Sequence, residues 1–232
     1  MSSVPAVSIV LPVYRSRAML AELYRRLAAT LEGLQRSFEI VFVNDACPEG
    51  SLDVLKKLEA GDSHVRVIPL EARRGQHAAL LIGLAASRGQ IVVTMDADLQ
   101  DRPEAIPELI ATLARGYGAV YAGRRGRYES RRRLAMSWVF KHAISLITGM
   151  PADAGAFIAM RRDVADRVVG FTDQPLYLTA AVAWAGRPVL SIPVVRDPRP
   201  LGASSYSGGM RLRMAVRALT QAIRWRIGEV AR

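Results

Sequence analysis

The chain has a single cysteine, Cys47, so no intrachain disulfide can form and a reducing compartment suits it. It also lacks any long apolar run. The longest uncharged stretches, Gly75–Ser87 and Gln174–Gly186, are too short to cross a bilayer and contain polar residues. The opening MSSVPAVSIV has no basic region followed by an apolar core, so no secretory leader is expected and the protein is placed in the cytoplasm. No internal repeat or low-complexity tract is visible. Acidic residues are outnumbered: the formal net charge is +11, and almost all of the basic residues are arginine. Arginine's planar fork suits phosphate, so anionic partners are expected. No RNA- or DNA-binding motif accompanies the charge, and nucleic acid is not expected.

What is present is enough for one substantial core: 232 residues, half of them hydrophobic. Val7–Leu11 reads as a first strand ending at Pro12. Leu20, Leu23, Leu27, Leu31 and Leu34 form the stripe of an amphipathic helix. Phe38–Val43 is a second strand ending in Asn44 and Asp45, and Ser51 is in the place of an N-cap for a short helix. Val65–Leu70 is a third strand, Gln76–Ser87 a helix, and Ile91–Met95 a fourth strand. Strands alternating with helices over short connections predict an α/β fold with a mostly parallel sheet covered on both faces.

The fourth strand is the informative one. Its apolar run is uninterrupted, as in a strand buried on both faces, and it ends in acid: Asp96, Asp98 and Asp101, with Gln100 between. Carboxylates just beyond the carboxyl end of such a strand lie where open α/β sheets bind ligands. Asp96 and Asp98 are two apart, so an extended backbone points both to one side. Two hard oxygen donors that close call for a divalent cation such as Mg²⁺ or Mn²⁺ carrying phosphates. Asp101 also stands where it can cap the helix that starts near Pro103, and Asp45 stands where a turn residue would.

Downstream, a helix carries Ile106, Leu109, Ile110 and Leu113, followed by a fifth strand over Ala119–Ala122. Gly123–Arg133 is dense in arginine and glycine and reads as a mobile loop suited to closing over phosphates. A helix over Leu134–Thr148, a strand over Ala156–Met160, helices over Asp163–Val169 and Leu176–Ala185 and a last strand over Val189–Val195 follow. Arg196–Gly209 is a long loop rich in proline, glycine and serine, of a kind usually functional. From Met210 a basic helix sets Leu212, Val216, Leu219, Ile223, Ile227 and Val230 on one stripe beside Arg213, Arg217 and Arg224. The stripe suits packing on the sheet, and the arginines suit peripheral contact with an anionic membrane.

VSIVLPVY (Val7–Tyr14), EIVFVNDACPEGS (Glu39–Ser51), RRGQHAALLIGL (Arg73–Leu84), VVTMDADLQDRPE (Val92–Glu104), DAGAF (Asp153–Phe157) and RPLGASSY (Arg199–Tyr206) span nearly the whole chain. In that order they resemble family 2 glycosyltransferases of the GT-A fold. The likeness is greatest to the polyprenyl-phosphate branch, which includes dolichyl-phosphate mannose synthase and bacterial undecaprenyl-phosphate relatives. The resemblance implies a GT-A domain over residues 1–209, with 210–232 as a basic helix of the same unit. It implies a nucleotide pocket at Pro12, Tyr14 and Asp45, and a metal and diphosphate site at Asp96 and Asp98 with Gln100 nearby. Arg124, Arg133 and Arg199 match arginines that hold the diphosphate or acceptor phosphate, and Asp153 opens the acceptor-side motif. The implied reaction moves a sugar from a nucleoside diphosphate to an acceptor, with inversion and with Mg²⁺ or Mn²⁺.

Three departures bear on the acceptor. The family's usual DxGDFR is here Asp153-Ala154-Gly155-Ala156-Phe157-Ile158, without the second aspartate or the arginine. A phosphate acceptor, already ionised, needs no base to replace them. GxSKY stands as Gly202-Ala203-Ser204-Ser205-Tyr206, with serine for lysine. Many relatives continue into transmembrane helices where this sequence shows one basic helix, so peripheral seating on the cytoplasmic face of the membrane is expected. Two alternatives stand beside a polyprenyl-phosphate acceptor: a soluble hydroxyl acceptor, or a non-catalytic basic module binding anionic lipid or nucleic acid. A homo-oligomer is compatible with either enzyme reading.

Overall fold

The computed structural model of the chain describes residues 4–125, 142–171, 177–198 and 216–224, with Arg124 and Arg125 described by backbone alone. The order is β1 (Val7–Val13), α1 (Leu20–Glu32), β2 (Phe38–Asn44), α2 (Ser51–Gly61), β3 (Val65–Pro69), α3 (Gln76–Ala86), β4 (Ile91–Thr94), α4 (Ile106–Leu113) and β5 (Ala119–Arg125). Then come α5 (142–148), β6 (Ile158–Arg161), α6 (Arg162–Val169), α7 (Leu178–Trp184), β7 (Val189–Val195) and α8 (216–224). Among the described residues the strands form one sheet in the order β3-β2-β1-β4-β6-β5-β7. All pairings are parallel except those of β6, which runs against both β4 and β5.

Alternation along each strand divides the core in two. Val7, Ile9, Leu11 and Val13 of β1, with Ile40 and Phe42 of β2 and Val93 of β4, face α1, α2 and α4. Val10, Val41, Val43 and Val92 face the other way, toward α3, α6 and α7. Burial on both sides is why these strands read as near-continuous apolar runs. Helix α3 lies tight against β1 and β2 because Gly83 has no Cβ: one added there would come within 2.3 Å of Val10 Cγ1.

Local details differ from the sequence expectations. Ser51 is not the N-cap of α2. Gly50 takes that place at φ 70°, and the Ser51 hydroxyl is bonded to Cys47 Sγ at 3.0 Å. Helix α8 does not use the expected stripe: Ala218 and Ala222 are buried and Leu219 partly so, while Val216 and Ile223 remain 55% and 42% exposed. Alanines let the helix approach closely, which turns the longer side chains outward. Of the apolar residues in the helix expected over Leu134–Thr148, Ile144 of α5 is core, and Trp138 and Phe140 lie outside the described residues.

The amino-terminal ends of the central strands are locked by one buried carboxylate. Glu39 Oε1 accepts the Ser8 hydroxyl and the Arg88 amide, each at 2.6 Å, while Oε2 accepts the Arg88 guanidinium at 3.0 and 3.2 Å. Ser8 Oγ in turn accepts the Gly89 amide at 2.7 Å. Burial alone pushes the Glu39 pKa up, but the Ser8 and Arg88 bonds outweigh it and hold the group below the ordinary glutamate value. A depressed folded pKa contributes stability at neutral pH and loses it as pH falls through that folded value. Glu39→Gln is therefore expected to cost about 1–3 kcal/mol in urea unfolding at pH 7. The gap to the unsubstituted protein should close as pH falls below the ordinary glutamate value of about 4.3; a gap that persists in acid would assign the effect to packing instead.

Candidate active site

Strands β1 and β4 are neighbours only as far as Val10 and Thr94, after which the Met95 amide still reaches Val10 O at 3.2 Å. Beyond that bond they part. Strand β1 continues to Val13 paired with β2 alone, and β4 turns away. The order of the sheet reverses at this pair, so the crevice is the switch point where such sheets hold ligands. Pro12 fits there because the Val10 backbone carbonyl points to β4, and the backbone of Pro12, two residues on, points to the same side past the last β4 bond. No ladder bond is lost to its missing N–H.

The chain does not stay extended through the acidic stretch. It bends over residues 97–99, and Leu99 takes φ 59°, a left-handed conformation that costs a branched residue about 1 kcal/mol. The bend is held by Asp98, whose Oδ1 accepts the Gln100 amide at 3.1 Å. Asp98 is buried, whereas Asp96 is partly exposed at the rim. Asp101 does not cap the following helical turn: Arg102 is the N-cap residue, without a side-chain bond. The buried Asp101 carboxylate instead accepts Arg196 Nε at 2.7 Å.

A second set of bonds reaches the rim from α3. Asp45, at the exit of β2, accepts the Arg74 amide at 2.6 Å and the Gly75 amide at 2.9 Å. That fixes the start of α3 and aims the Gln76 side-chain amide at Asp96 Oδ1, to which it donates. The Arg73 guanidinium lies over the Tyr14 ring, 4.0 Å from its centre, with Arg15 on the same ring at 5.5 Å. The single cysteine ties the first two strand exits together, its Sγ accepting the Arg15 amide at 3.2 Å.

The reversed β6 brings the acceptor-side motif to the same edge. Ile158 pairs with Thr94, so residues 153–157 arrive at the carboxyl end of β4, where Thr94 Oγ1 donates to Ala156 O at 2.7 Å. Asp153 is exposed there and lies against Gly123 of β5. A Cβ on Gly123 would stand 2.2 Å from Asp153 Oδ2 and 2.5 Å from Ser191 Oγ, a buried hydroxyl without a described partner. The Arg124 backbone follows in register with Val194.

One edge thus gathers Pro12, Tyr14, Asp45, Asp96, Asp98, Gln100 and Asp153, while the Arg124 side chain, Arg133 and Arg199 lie outside the described residues. Arg73 and Gln76, given no individual role from sequence, join them, as do Arg196, read only as the start of a loop, and Gly123, which was expected to open the arginine-rich loop but lies in β5. Gln76 had a signal, a polar residue just after Gly75 at a helix start; Arg196 had none, because its partner lies 95 positions away. For a cation, Asp96 and Asp98 supply hard oxygens two residues apart. Among the described residues no cluster of three or more His, Cys, Asp or Glu closes a cage. That donor set fits an open Mg²⁺ or Mn²⁺ site completed by phosphate and water.

Residues 8–169 match the family model described as glycosyl transferase family 2. The chain is 35% identical over 208 residues to an undecaprenyl-phosphate 4-deoxy-4-formamido-L-arabinose transferase of Erwinia tasmaniensis, covering 88% of this chain and 64% of that protein. An uncharacterized glycosyltransferase of Bacillus subtilis, YkcC, is 31% identical over 216 residues, 92% of this chain and 67% of its own length. The chain thus spans a little under two thirds of the first of these relatives and two thirds of the second. Among solved structures, the Pyrobaculum calidifontis mannosyltransferase PcManGT in complex with GDP-Man and Mn²⁺ superposes with a TM-score of 0.67 at 21% identity, covering 96% of this chain and 65% of that one. The glucosyl-3-phosphoglycerate synthase of Mycobacterium tuberculosis with Mn²⁺, UDP and phosphoglyceric acid gives 0.66 at 17% identity, covering 96% and 78%. The sheet with its one reversed strand is accordingly the GT-A fold, and the chain belongs to glycosyl transferase family 2.

Proposed function

We propose that this protein transfers a sugar from a nucleoside-diphosphate sugar to a polyprenyl phosphate, with inversion at the anomeric carbon. The observation that carries the reading is the pair Asp96 and Asp98 at the switch-point crevice. Asp96 accepts the Gln76 side-chain amide and Asp98 the Gln100 amide, and the arginine-capped Tyr14 ring follows the exit of β1 on the same edge of the sheet. Pro12, Tyr14 and Asp45, at the exits of β1 and β2, are assigned to the nucleotide, with Arg73 extending the flat face of Tyr14. Asp96 and Asp98 would hold Mg²⁺ or Mn²⁺, which when bound offsets charge on the departing diphosphate. Gln76 fixes the Asp96 carboxylate, and the Gln100 amide fixes that of Asp98, so neither reorganises when the donor arrives. Arg124, Arg133 and Arg199 are assigned to the diphosphate and acceptor phosphate by the positions they match.

In the transfer itself an acceptor phosphate oxygen bonds to the anomeric carbon as the bond from that carbon to the diphosphate breaks. The electron pair leaves with the diphosphate oxygen. No proton has to be removed, which accords with Ala156 standing where a second carboxylate would be, itself buried. Asp153 is the one carboxylate of that motif and remains exposed. With a hydroxyl acceptor it would have to serve as the base, so the two acceptors separate by their dependence on Asp153.

Residues 210–232 are taken as part of the same unit, supported by Ala218 and Ala222 of α8 in the core. Val216 and Ile223 on that helix are exposed beside Arg217 and Arg224, and Leu146 on α5 is 89% exposed. Apolar residues flanked by arginines favour contact with an anionic bilayer surface. No helix among the described residues is long and apolar enough to cross a membrane.

Replacing both acids, Asp96→Asn with Asp98→Asn, is expected to lower transfer to a short polyprenyl phosphate by about three orders of magnitude, assayed with GDP-, UDP- and dTDP-sugars and Mn²⁺. The melting temperature should not fall, because the change relieves a like-charge pair. Retained transfer would remove the acids from the reaction. Gly123→Ala places a methyl against two flexible side-chain ends, so a stability loss of only about 1 kcal/mol is expected. With a polyprenyl phosphate as acceptor, which needs no base, kcat should stay within about twofold; a fall of about tenfold with the donor KM unchanged would instead favour a hydroxyl acceptor that depends on Asp153.

A further inference from the structure

The first two residues of the loop that leaves β7 are both bound to the acidic loop. Arg196, the first residue after β7, has a side chain only 14% exposed and gives its Nε to Asp101, 5% exposed, at 2.7 Å. The next residue, Asp197, donates its amide to Gln100 O at 2.9 Å. Its carboxylate accepts Arg102 through both Nε, at 2.8 Å, and Nη2. Arg26, bound to Glu104 at 2.6 and 2.8 Å, has the Nη2 of the shorter bond also within 3.9 Å of Asp197. The Gln100 peptide is therefore held from both sides: its N–H on the Asp98 carboxylate and its C=O on the Asp197 amide.

We propose that Arg196 is a positioning residue for the transfer reaction, balancing the charge of Asp96, Asp98 and Asp101 while fixing the exit of β7 on the loop that bears them. The inference rests on the donor-site reading above. Its guanidinium is exposed to the fields of all three carboxylates. Burial pulls the Arg196 pKa down, but Asp101 first, then Asp96 and Asp98, outweigh burial and hold it above the usual arginine value. A fixed positive charge at this place does two things. It keeps the carboxylates from springing apart before the donor binds, and it weakens their hold on any cation that joins them. The same side chain sets where the following residues, starting from Asp197, leave the sheet.

Charge balance makes a signed forecast that simple loss of structure does not. Mn²⁺ binding is measured by calorimetry and by electron paramagnetic resonance, for the metal alone and with a saturating nucleoside diphosphate. Arg196→Gln removes the competing cation and should tighten Mn²⁺ binding roughly three- to tenfold, although transfer turnover falls. Asp101→Asn leaves Arg196 without its buried counter-charge and should weaken Mn²⁺ binding by a similar factor. The double variant, in which one charge of each sign is gone, should return to within about twofold of the unsubstituted protein. Arg196→Lys, which keeps the charge and loses the fork, should hold Mn²⁺ affinity near the starting value, and it serves if the glutamine variant does not fold.

Looser Mn²⁺ binding in Arg196→Gln, no change in either single variant, or a double variant weaker than both singles would each overturn the proposal and leave the donor site standing. If the glutamine variant does not fold, a Lys variant that shifts Mn²⁺ affinity beyond twofold overturns it as well. Absence of Mn²⁺ binding to the unsubstituted protein, with or without nucleotide, would overturn the donor-site reading and this inference with it.

Discussion

Three aspartates within six positions at the end of a buried strand repel one another, and the surrounding structure is arranged to tolerate that. Each meets a different answer: Gln76 donates a side-chain amide to Asp96, the backbone of Gln100 closes a turn on Asp98, and Arg196 takes Asp101 into a buried ion pair. The three donors come from α3, from the loop itself and from the end of β7. Acidic residues adjacent in sequence are thereby supported by parts of the chain remote from one another. Support of this kind is dear in ordered side chains, and it suits a site that has to be in place before its ligands arrive.

The opposite edge of the sheet behaves differently. There Glu39, Ser8, Arg88 and Gly89 close a small network in which the buried carboxylate takes donors on both oxygens. Those bonds hold β1, β2 and the entry to β4 together. This network and the candidate site thus sit at opposite ends of the same strands, and ligands of open α/β sheets bind at the carboxyl ends.

Much of this was legible in the residues. The runs Val7–Leu11, Phe38–Val43 and Ile91–Met95 announced buried parallel strands because alternation is lost when both faces are covered. The acids following the fourth strand pointed to the carboxyl-terminal edge of the sheet, and that is where the structure has them, at the crevice between β1 and β4. What the sequence did not disclose depended on distant partners or on backbone shape. Asp101 looked like a helix cap because its true partner, Arg196, is on the far side of the chain. Ser51 looked like a cap because the left-handed turn at Gly50 cannot be read from an isolated serine. The apolar stripe of the last helix misled as to its packing face, since two alanines fit the core more closely than valine and isoleucine do. The bend through Leu99 was hidden too, because leucine rarely takes a positive φ.

The reversed strand has a consequence of its own. Because β6 runs against β5, the chain departs from the ligand-binding edge after Arg125 and comes back to that edge to begin β6 at Ile158, with Tyr121 already paired to Ile158. The two ends of that connection, at β5 and β6, are therefore held close together in the sheet. Lengthening or exchanging such a tethered stretch adds loop-closure entropy that grows only logarithmically, about 0.6 kcal/mol per doubling. A change of length between Arg125 and Ile158 would therefore cost the sheet little, because β5 and β6 fix both ends of that connection.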